Sequence, residues 1–229
     1  MKQQKKTLNK QNWKFWFSPA RCPLCQQVVI AFQSCNRCTR VEKQLSLQNC
    51  QPSITVQRVD TIFCPWQYKN QIRHGILQMK FENMPWLAEN FILLLLTKKA
   101  AYTFFREFDI ILWVPSTKKK IKQRGYDVPF LLAKAISCYT GIPLAQKGVL
   151  IKVKETIAQV ELDSKQRKNN VIDAFAVQDS DAIFGKKVLL VDDVLTTGTT
   201  AQENAFALYQ SGASRIGLLV LAQAEIESR

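Results

Sequence analysis

Residues 188–200 carry the strongest pattern in the chain, Val188-Leu189-Leu190-Val191-Asp192-Asp193-Val194-Leu195-Thr196-Thr197-Gly198-Thr199-Thr200. The four leading apolar residues predict a buried strand of a parallel sheet, and two acids follow at its carboxyl end. A loop rich in hydroxyl groups then leads into a predicted helix over residues 200–211, which Gly212 closes. Ligands of parallel α/β sheets bind at the carboxyl ends of the strands, so the pattern predicts a fold class and a site together.

The loop has the chemistry of a phosphate cradle. Backbone N–H groups at residues 196–200, threonine hydroxyls and the positive N-terminus of the next helix all favour a phosphate dianion, and Gly198 lets the backbone turn closely around it. The carboxylates of Asp192 and Asp193 can accept hydrogen bonds from sugar hydroxyls, or face a magnesium ion bound to those hydroxyls and to a pyrophosphate. A ribose 5-phosphate fits this arrangement. The alternative is a capped core strand without a ligand.

Strand-like and helix-like segments alternate from residue 61 onward. The strand-like segments cover residues 109–115, 175–177, 187–193 and 215–222, and a helix-like segment covers residues 129–139. This alternation predicts an α/β domain with a mainly parallel sheet covered on both faces. We expect three parts: a basic aromatic tail over residues 1–17, a small N-terminal module with its connector over residues 18–60, and the α/β domain over residues 61–229.

The composition is that of an ordinary globular chain. It has 229 residues, of which 47% are hydrophobic and 22% charged, and this excludes wholesale disorder, collagen and coiled coil. The longest apolar run, residues 91–96, is far shorter than the roughly 20 residues of a membrane span. Lys14 interrupts the apolar residues near the N-terminus, which leaves no run of about 7–15 apolar residues for secretion. We therefore expect a cytoplasmic protein.

The net charge of +14 predicts polyanionic partners such as nucleic acid, phosphorylated metabolites or anionic lipid. The N-terminal tail interleaves five lysines with four aromatic residues, an arrangement that suits phosphate contacts and base stacking on single-stranded DNA. Contact with the inner face of the membrane, or packing of the aromatic residues on the domain, is the alternative. These tail residues are Lys2, Lys5, Lys6, Lys10, Trp13, Lys14, Phe15, Trp16 and Phe17.

Four of the seven cysteines form two close pairs, Cys22-x2-Cys25 and Cys35-x2-Cys38. Two such pairs can place four thiolates around a structural zinc ion, so this module is predicted to bind zinc. The alternative is two unrelated pairs of reduced thiols. The other three cysteines are interpreted as core or surface residues, and the single histidine, His74, has no evident partner for catalysis or metal binding.

Residues 188–200 resemble, at all thirteen positions, the phosphoribosyl pyrophosphate (PRPP) motif of type I phosphoribosyltransferases. More of the chain, over residues 20–223, resembles one branch of that superfamily, the ComF family of late competence proteins. The resemblance starts with the paired cysteines and includes a helix ending in Lys-Phe, a strand ending in Val-Pro and an Arg-Gly-aromatic segment. The residues that carry it are Tyr68, Lys80, Phe81, Val114, Pro115, Arg124, Gly125, Tyr126, Thr156, Gln159, Arg167, Asn170, Val171 and Phe175.

The resemblance implies roles for several of these residues. The turn Pro115-Ser116-Thr117-Lys118 corresponds to the pyrophosphate loop, and Arg124 is the cation best suited to the diphosphate. The basic run 118–122 is interpreted as ligand contacts or as a solvated loop. Residues 150–172 correspond to a hood over the ligand, and the residues expected to face the ligand there and nearby are Lys80, Gln159 and Arg167.

Four residues depart from the family pattern. Tyr126, Asp127 and Val128 stand where the family usually has Phe-Asn-Gln, and Trp113 stands where it commonly has proline. Asp127 adds negative charge beside a site that is expected to hold anions.

Two functions are compatible with these residues. In the first, the chain is a PRPP-binding protein of natural competence that handles imported single-stranded DNA during DNA uptake and transformation. The resemblance then implies the competence helicase and the DNA-uptake channel as partners. In the second, it is an active phosphoribosyltransferase of nucleobase salvage or of its regulation. Transfer would pass through an oxocarbenium-like ribose, with Asp192 and Asp193 at the reacting sugar and with magnesium and cations stabilising the pyrophosphate. The sequence leaves turnover open.

Overall fold

The structure is a computed structural model that describes residues 21–22, 24–29, 35–153 and 174–225. The predicted tail and part of the predicted hood lie outside these residues. The site candidates Gln159 and Arg167 and the family residues Thr156, Asn170 and Val171 are among those outside.

A parallel sheet forms the centre of the described part of the chain. Its five strands are β1 (Thr61–Phe63), β2 (Trp66–Gln67), β3 (Ile110–Trp113), β6 (Lys187–Leu195) and β7 (Arg215–Gln223). The order is β1-β7-β6-β3, and β2 pairs with β7 beyond the end of β1. An antiparallel pair lies outside this sheet and consists of β4 (Leu150–Lys152) and β5 (Phe175–Val177). The predicted mainly parallel α/β fold is confirmed.

Helices connect and cover the strands. In the described ranges they are α1 (Asn36–Leu45), α2 (Asn70–Phe81), α3 (Leu87–Leu96), α4 (Lys99–Phe105), α5 (Lys118–Arg124), α6 (Val128–Thr140) and α7 (Thr199–Gln210). The basic run after β3 is therefore a helix, α5, rather than a loop. Thr117 begins α5 by accepting a hydrogen bond from the Lys120 N–H, and Gly125 ends it at a φ of 84°.

The sheet is buried on both faces because β6 alternates its side chains between two apolar clusters. Leu189 and Val191 belong to one cluster, and Val188 and Leu190 belong to the other. A strand covered on both sides is expected to be apolar throughout, as β6 is over residues 188–191. Residues 192–194 are only half-buried, because the strand reaches there the edge that holds the candidate site.

The cysteine segment packs directly on the α/β domain. Cys22, Leu24 and Cys38 lie in the same apolar cluster as residues of β2 and α2. Glu42 of α1 accepts hydrogen bonds from the Trp66 indole at 2.6 Å and from the Lys98 ammonium at 2.7 Å. Burial opposes ionisation of Glu42, but the Lys98 and Trp66 hydrogen bonds outweigh it and lower the pKa of the carboxyl. A charged, hydrogen-bonded contact thus joins α1 to the domain.

Candidate functional site

Asp192 and Asp193 lie in the last part of β6, and the strand continues past them to Leu195. The predicted strand end at residue 193 is thus two residues short. Asp193 Oδ1 accepts a hydrogen bond from Lys80 Nζ at 2.7 Å, and only 13% and 17% of these two side chains is exposed. Asp192 Oδ1 accepts the backbone N–H of Asp193 at 2.8 Å. The Lys-Phe end of α2 therefore meets the acid pair across 113 residues of sequence.

The pKa of Asp192 is raised to about 8. Burial is the largest cause, and the negative charge of Asp193 adds to it. The Asp193 N–H and the charge of Lys80 lower the pKa but do not compensate. Strongly perturbed carboxyl groups cluster at functional sites, and a bound cation or a sugar hydroxyl would stabilise the charged form here.

The threonine-rich loop turns sharply at Gly198. This residue has a φ of 81° and is the N-cap of α7, and the loop threonines on both sides of it are exposed. The hydroxyls of Thr197 and Thr199 lie 3.0 Å apart. No side chain caps α7 and no acid stands in its first turn. The loop therefore offers exposed hydroxyls beside a positive helix end, as a phosphate cradle requires.

The predicted pyrophosphate loop lies beside the acid pair because β3 and β6 are neighbours. Trp113 pairs with Val191, and the Val114 N–H donates to the Val191 carbonyl at 2.9 Å. The chain then passes through Pro115 and Ser116 to Thr117. The loop follows β3, and the two acids lie in the last part of the adjacent parallel strand β6, so both are at the same edge of the sheet.

Asp127 is part of this site. Its Oδ1 accepts the Ser116 hydroxyl at 2.6 Å. Burial raises the pKa of Asp127, hydrogen bonds from Ser116 and Trp113 oppose the shift, and the charge of Asp193 reinforces it. Asp127, which departs from the family pattern, therefore places a third carboxyl group near the acid pair. It also accepts the hydroxyl hydrogen of Ser116, a residue of the predicted pyrophosphate loop.

Arg124 contacts an aromatic ring. Its guanidinium carbon lies 4.9 Å from the centre of the Phe81 ring, next to Lys80. The hydroxyl of Tyr126 donates to the Met79 carbonyl at 2.8 Å, so the Arg-Gly-Tyr segment is held against the end of α2. No contact was predicted for Phe81 from the sequence. An aromatic residue between Lys80 and Glu82 at the end of a helix could have indicated a contact with a cation such as Arg124. Lys118 is exposed at the start of α5.

The four predicted metal ligands form one cluster. The sulfur atoms of Cys22, Cys25, Cys35 and Cys38 lie within 4.8 Å of one another. Four zinc–sulfur bonds of about 2.3 Å need sulfur separations of about 3.8 Å, so a small contraction would complete a tetrahedron. The Cys25 and Cys35 sulfurs are already 3.5 Å apart. The residues therefore fit a structural zinc ion.

Local polar groups favour the thiolate of Cys35, whereas burial raises the pKa of Cys25 and of Cys38. Burial raises the pKa of Cys35, but hydrogen bonds from the Cys38 backbone and the Cys25 thiol outweigh it and lower the pKa to about 7. The Cys35 N–H also donates to the Cys22 sulfur at 3.4 Å. Such N–H donors stabilise thiolates and orient them toward a cation.

The remaining cysteines and the histidine stand apart from both sites. Cys50 and Cys64 are buried, and Cys138 is exposed. His74 is exposed on α2. In the ranges that the structure covers, no helix is long and apolar enough to cross a membrane.

Curated relatives match the chain over most of its length. Competence protein F of Haemophilus influenzae is 29% identical over 208 residues, which cover 89% of this chain and 90% of the relative. DNA utilization protein YhgH of Shigella flexneri is 27% identical over 225 residues, which cover 90% of this chain and 97% of the relative. These relatives confirm the resemblance to the ComF family. No protein-family model matches the chain.

Solved structures of other proteins are similar to part of this chain. The glutamine phosphoribosylpyrophosphate amidotransferase of B. subtilis, complexed with ADP and GMP, matches at 23% identity and a TM-score of 0.36. The match covers 50% of this chain and 22% of the solved chain.

Proposed function

We propose that the chain is a PRPP-binding, phosphoribosyltransferase-like protein of natural competence that handles imported single-stranded DNA. One observation carries the PRPP part of the proposal: the acid pair of β6, the Thr196–Thr200 loop and the Ser116 turn lie at one edge of a parallel sheet. A sugar bearing phosphate groups at two positions needs hydroxyl acceptors between two anion-binding loops.

Each residue of this site has a role in the proposed binding. The Thr196–Thr200 loop takes the 5-phosphate through backbone N–H groups and hydroxyls, and Asp192 and Asp193 accept the ribose hydroxyls. Residues 115–118 take the pyrophosphate. Lys80 holds Asp193 in place, and Gln159 and Arg167 are expected to face the ligand from the hood.

The acid pair also suits a magnesium ion. Asp192, Asp193 and Asp127 supply three carboxyl groups, and Lys80 is paired with one of them. Oxygen ligands of this kind are the ones that magnesium prefers. When bound, the ion would neutralise charge on the pyrophosphate, and Asp192 and Asp193 are the residues that would face it.

The names of the relatives support the competence part of the proposal, since they refer to competence and to DNA utilization. The net charge of +14 fits a polyanionic partner. In this proposal the domain of residues 61–229 binds the sugar phosphate, the zinc module of residues 18–60 packs on it, and the tail of residues 1–17 contacts DNA. The competence helicase and the uptake channel are the proposed protein partners.

Active transfer to a nucleobase is the second candidate, because the same residues would serve a reacting ribose. One assay separates the two: purified protein is incubated with PRPP, magnesium and each nucleobase, and pyrophosphate release is followed beside retention of single-stranded DNA. The proposal predicts retention of DNA at low salt. A protein that retains no single strands but releases pyrophosphate with one base would be a salvage enzyme instead.

A further inference from the structure

An exposed surface beside the candidate site combines one aromatic ring with a cluster of cations. We call it the α5 patch and define it as Phe81 together with the cations of α5 that follow Lys118, which are Lys119, Lys120, Lys122 and Arg124. We propose that the α5 patch binds single-stranded DNA, with Phe81 and Arg124 stacking on an unpaired base and the lysines contacting its phosphates. This inference rests on the proposed handling of single strands and names the folded surface that performs it.

The first observation is the state of the Phe81 ring. It is 64% exposed, although Phe81 is the last residue of a helix whose other face is buried. The guanidinium of Arg124 covers part of the ring at 4.9 Å from its centre. A ring and a guanidinium plane in contact, with the rest of the ring open, form a platform on which a nucleobase can stack.

The second observation is the charge of α5. Its sequence is Lys-Lys-Lys-Ile-Lys-Gln-Arg, and none of its residues is buried. Lys118, Lys119, Lys120 and Lys122 have no ion pair with any acid in the part of the chain that the structure describes. The neighbouring acid Glu82 accepts a hydrogen bond from Gln78 at 3.1 Å. A surface that binds single-stranded DNA without sequence preference needs two components. These are cations that contact the phosphates and an aromatic ring that stacks on the bases.

A comparison within the molecule shows why this ring differs from other exposed rings. Tyr209 is 52% exposed and has the Arg58 guanidinium 4.5 Å from its ring centre, so it forms a similar cation–ring pair. It stands on α7, whose sequence contains no lysine or arginine. Tyr209 therefore has the stacking surface without the phosphate contacts and provides a matched control.

The test is fluorescence anisotropy of a labelled oligothymidine of about 16 nucleotides, titrated with the full chain at several salt concentrations. Phe81→Ala should weaken binding about tenfold with little change in the salt slope, and Phe81→Trp should restore it. Tyr209→Ala should bind as the unchanged protein does. Lys119→Gln with Lys122→Gln should reduce the magnitude of the salt slope by about 1.4, at about 0.7 for each lost phosphate contact.

The charge control removes two exposed lysines elsewhere, with Lys134→Gln and Lys147→Gln. If the unchanged protein binds the oligonucleotide and both patch variants bind as their controls do, the inference is wrong, while DNA handling through other residues stands. If the unchanged protein fails to bind even at low salt, the proposed DNA function fails, and the inference with it. Loss of binding to phosphatidylglycerol vesicles with unchanged DNA affinity would assign the patch to a membrane and would also overturn the inference.

Discussion

Asp192 has a raised pKa and lies in the last part of β6, near the edge of the sheet that holds the candidate site. In the folded chain its pKa is about 8, while in the unfolded chain it has the ordinary value of 3.8. Folding therefore takes up a proton between these values, and the stability that this proton supports is lost as the pH rises through about 8. An ionised Asp192 destabilises the free protein, and carboxyl groups of this kind are expected at sites where a bound ligand stabilises the charged form.

The first prediction concerns the pH dependence of Asp192→Asn. This variant cannot ionise at residue 192, so without ligand it should be more stable than the unchanged protein. Its advantage should grow from about pH 4 to about pH 8 and level off at higher pH. The growth is at most about 1.4 kcal/mol per pH unit, or roughly 2–4 °C in Tm for each kcal/mol. Thermal unfolding at several pH values measures it, with Asp181→Asn at an exposed turn as the control. Parallel curves for Asp192→Asn and the unchanged protein would contradict the assigned pKa.

Glycine is favoured at residue 198 for two reasons, a left-handed backbone conformation and the lack of space for a side chain. Its φ is 81°, and a Cβ there would lie 3.0 Å from Val56 Cγ2. Gly185 has a φ of 70° and nothing within 4 Å of a Cβ. The two glycines therefore separate the cost of the backbone conformation from the cost of crowding.

The second prediction compares Gly198→Ala with Gly185→Ala. Both should lose about 1 kcal/mol of stability from the left-handed backbone, and Gly198→Ala should lose more because Val56 must move. Only Gly198→Ala should also weaken PRPP binding, since the phosphate loop is displaced. Urea unfolding and calorimetry measure the two effects. Equal losses of stability with unchanged PRPP affinity would show that the turn is not the phosphate cradle.

Helix α1 joins the cysteine cluster to the sheet. Cys38 lies one turn before Glu42, and Glu42 contacts Trp66 of β2 and Lys98. Loss of a metal ion from the cluster should therefore loosen α1 and remove partners from Trp66. Cys22 and Cys38 share an apolar cluster with one face of the sheet, so the effect should reach that face.

The third prediction is that the purified chain carries about one zinc ion per molecule. Cys25→Ser with Cys38→Ser should abolish zinc binding and lower the Tm of the domain, because structural zinc binding contributes directly to folding. Metal analysis and thermal unfolding measure this, with the exposed Cys138→Ser as the control. If the unchanged protein carries no zinc and the double variant has the same Tm, the cluster is only a set of reduced thiols.

The elements also show what the sequence could predict. Strands β3, β5, β6 and β7 and the helices α6 and α7 were predictable because apolar runs, acids and glycines mark their ends. The short strands β1, β2 and β4 carry two or three residues each, too few for any periodicity. Helix α3 is apolar over residues 91–96, and this run served only to exclude a membrane span.

The site was predictable where one continuous segment carries it and not where distant segments meet. Residues 188–200 contain the acids, the loop and the start of the helix. The Lys80–Asp193 ion pair, the Asp127–Ser116 hydrogen bond and the Phe81–Arg124 contact each depend on packing between separate elements. The role of Lys80 came only from the family resemblance.

At the scale of the whole molecule, positive charge is concentrated toward the N-terminus. Residues 1–60 carry ten bases and two acids, and residues 61–229 carry 22 bases and 16 acids. A cationic tail and the α5 patch would give one strand two places of contact. Binding through such charges weakens steeply with salt because each phosphate contact releases a counterion.

The fourth prediction concerns the tail. Replacing Lys5, Lys6, Lys10 and Lys14 by glutamine should flatten the salt dependence of single-strand binding, by about 0.7 in slope for each phosphate contact that is lost. Trp13→Ala with Trp16→Ala should instead reduce affinity with little change in slope, since stacking releases no ions. Anisotropy at several salt concentrations measures both. Unchanged slopes and affinities would place DNA binding outside the tail.

The central claim is that the acid pair and its loop bind PRPP, and calorimetric titration with magnesium and PRPP tests it most directly. Asp192→Asn with Asp193→Asn should weaken binding at least tenfold, because each lost charged contact costs about 1–3 kcal/mol. Asp179→Asn with Asp181→Asn makes the same two substitutions at an exposed turn and should bind as the unchanged protein does. Equal PRPP affinity in all three proteins, or no binding by the unchanged protein, would contradict the claim.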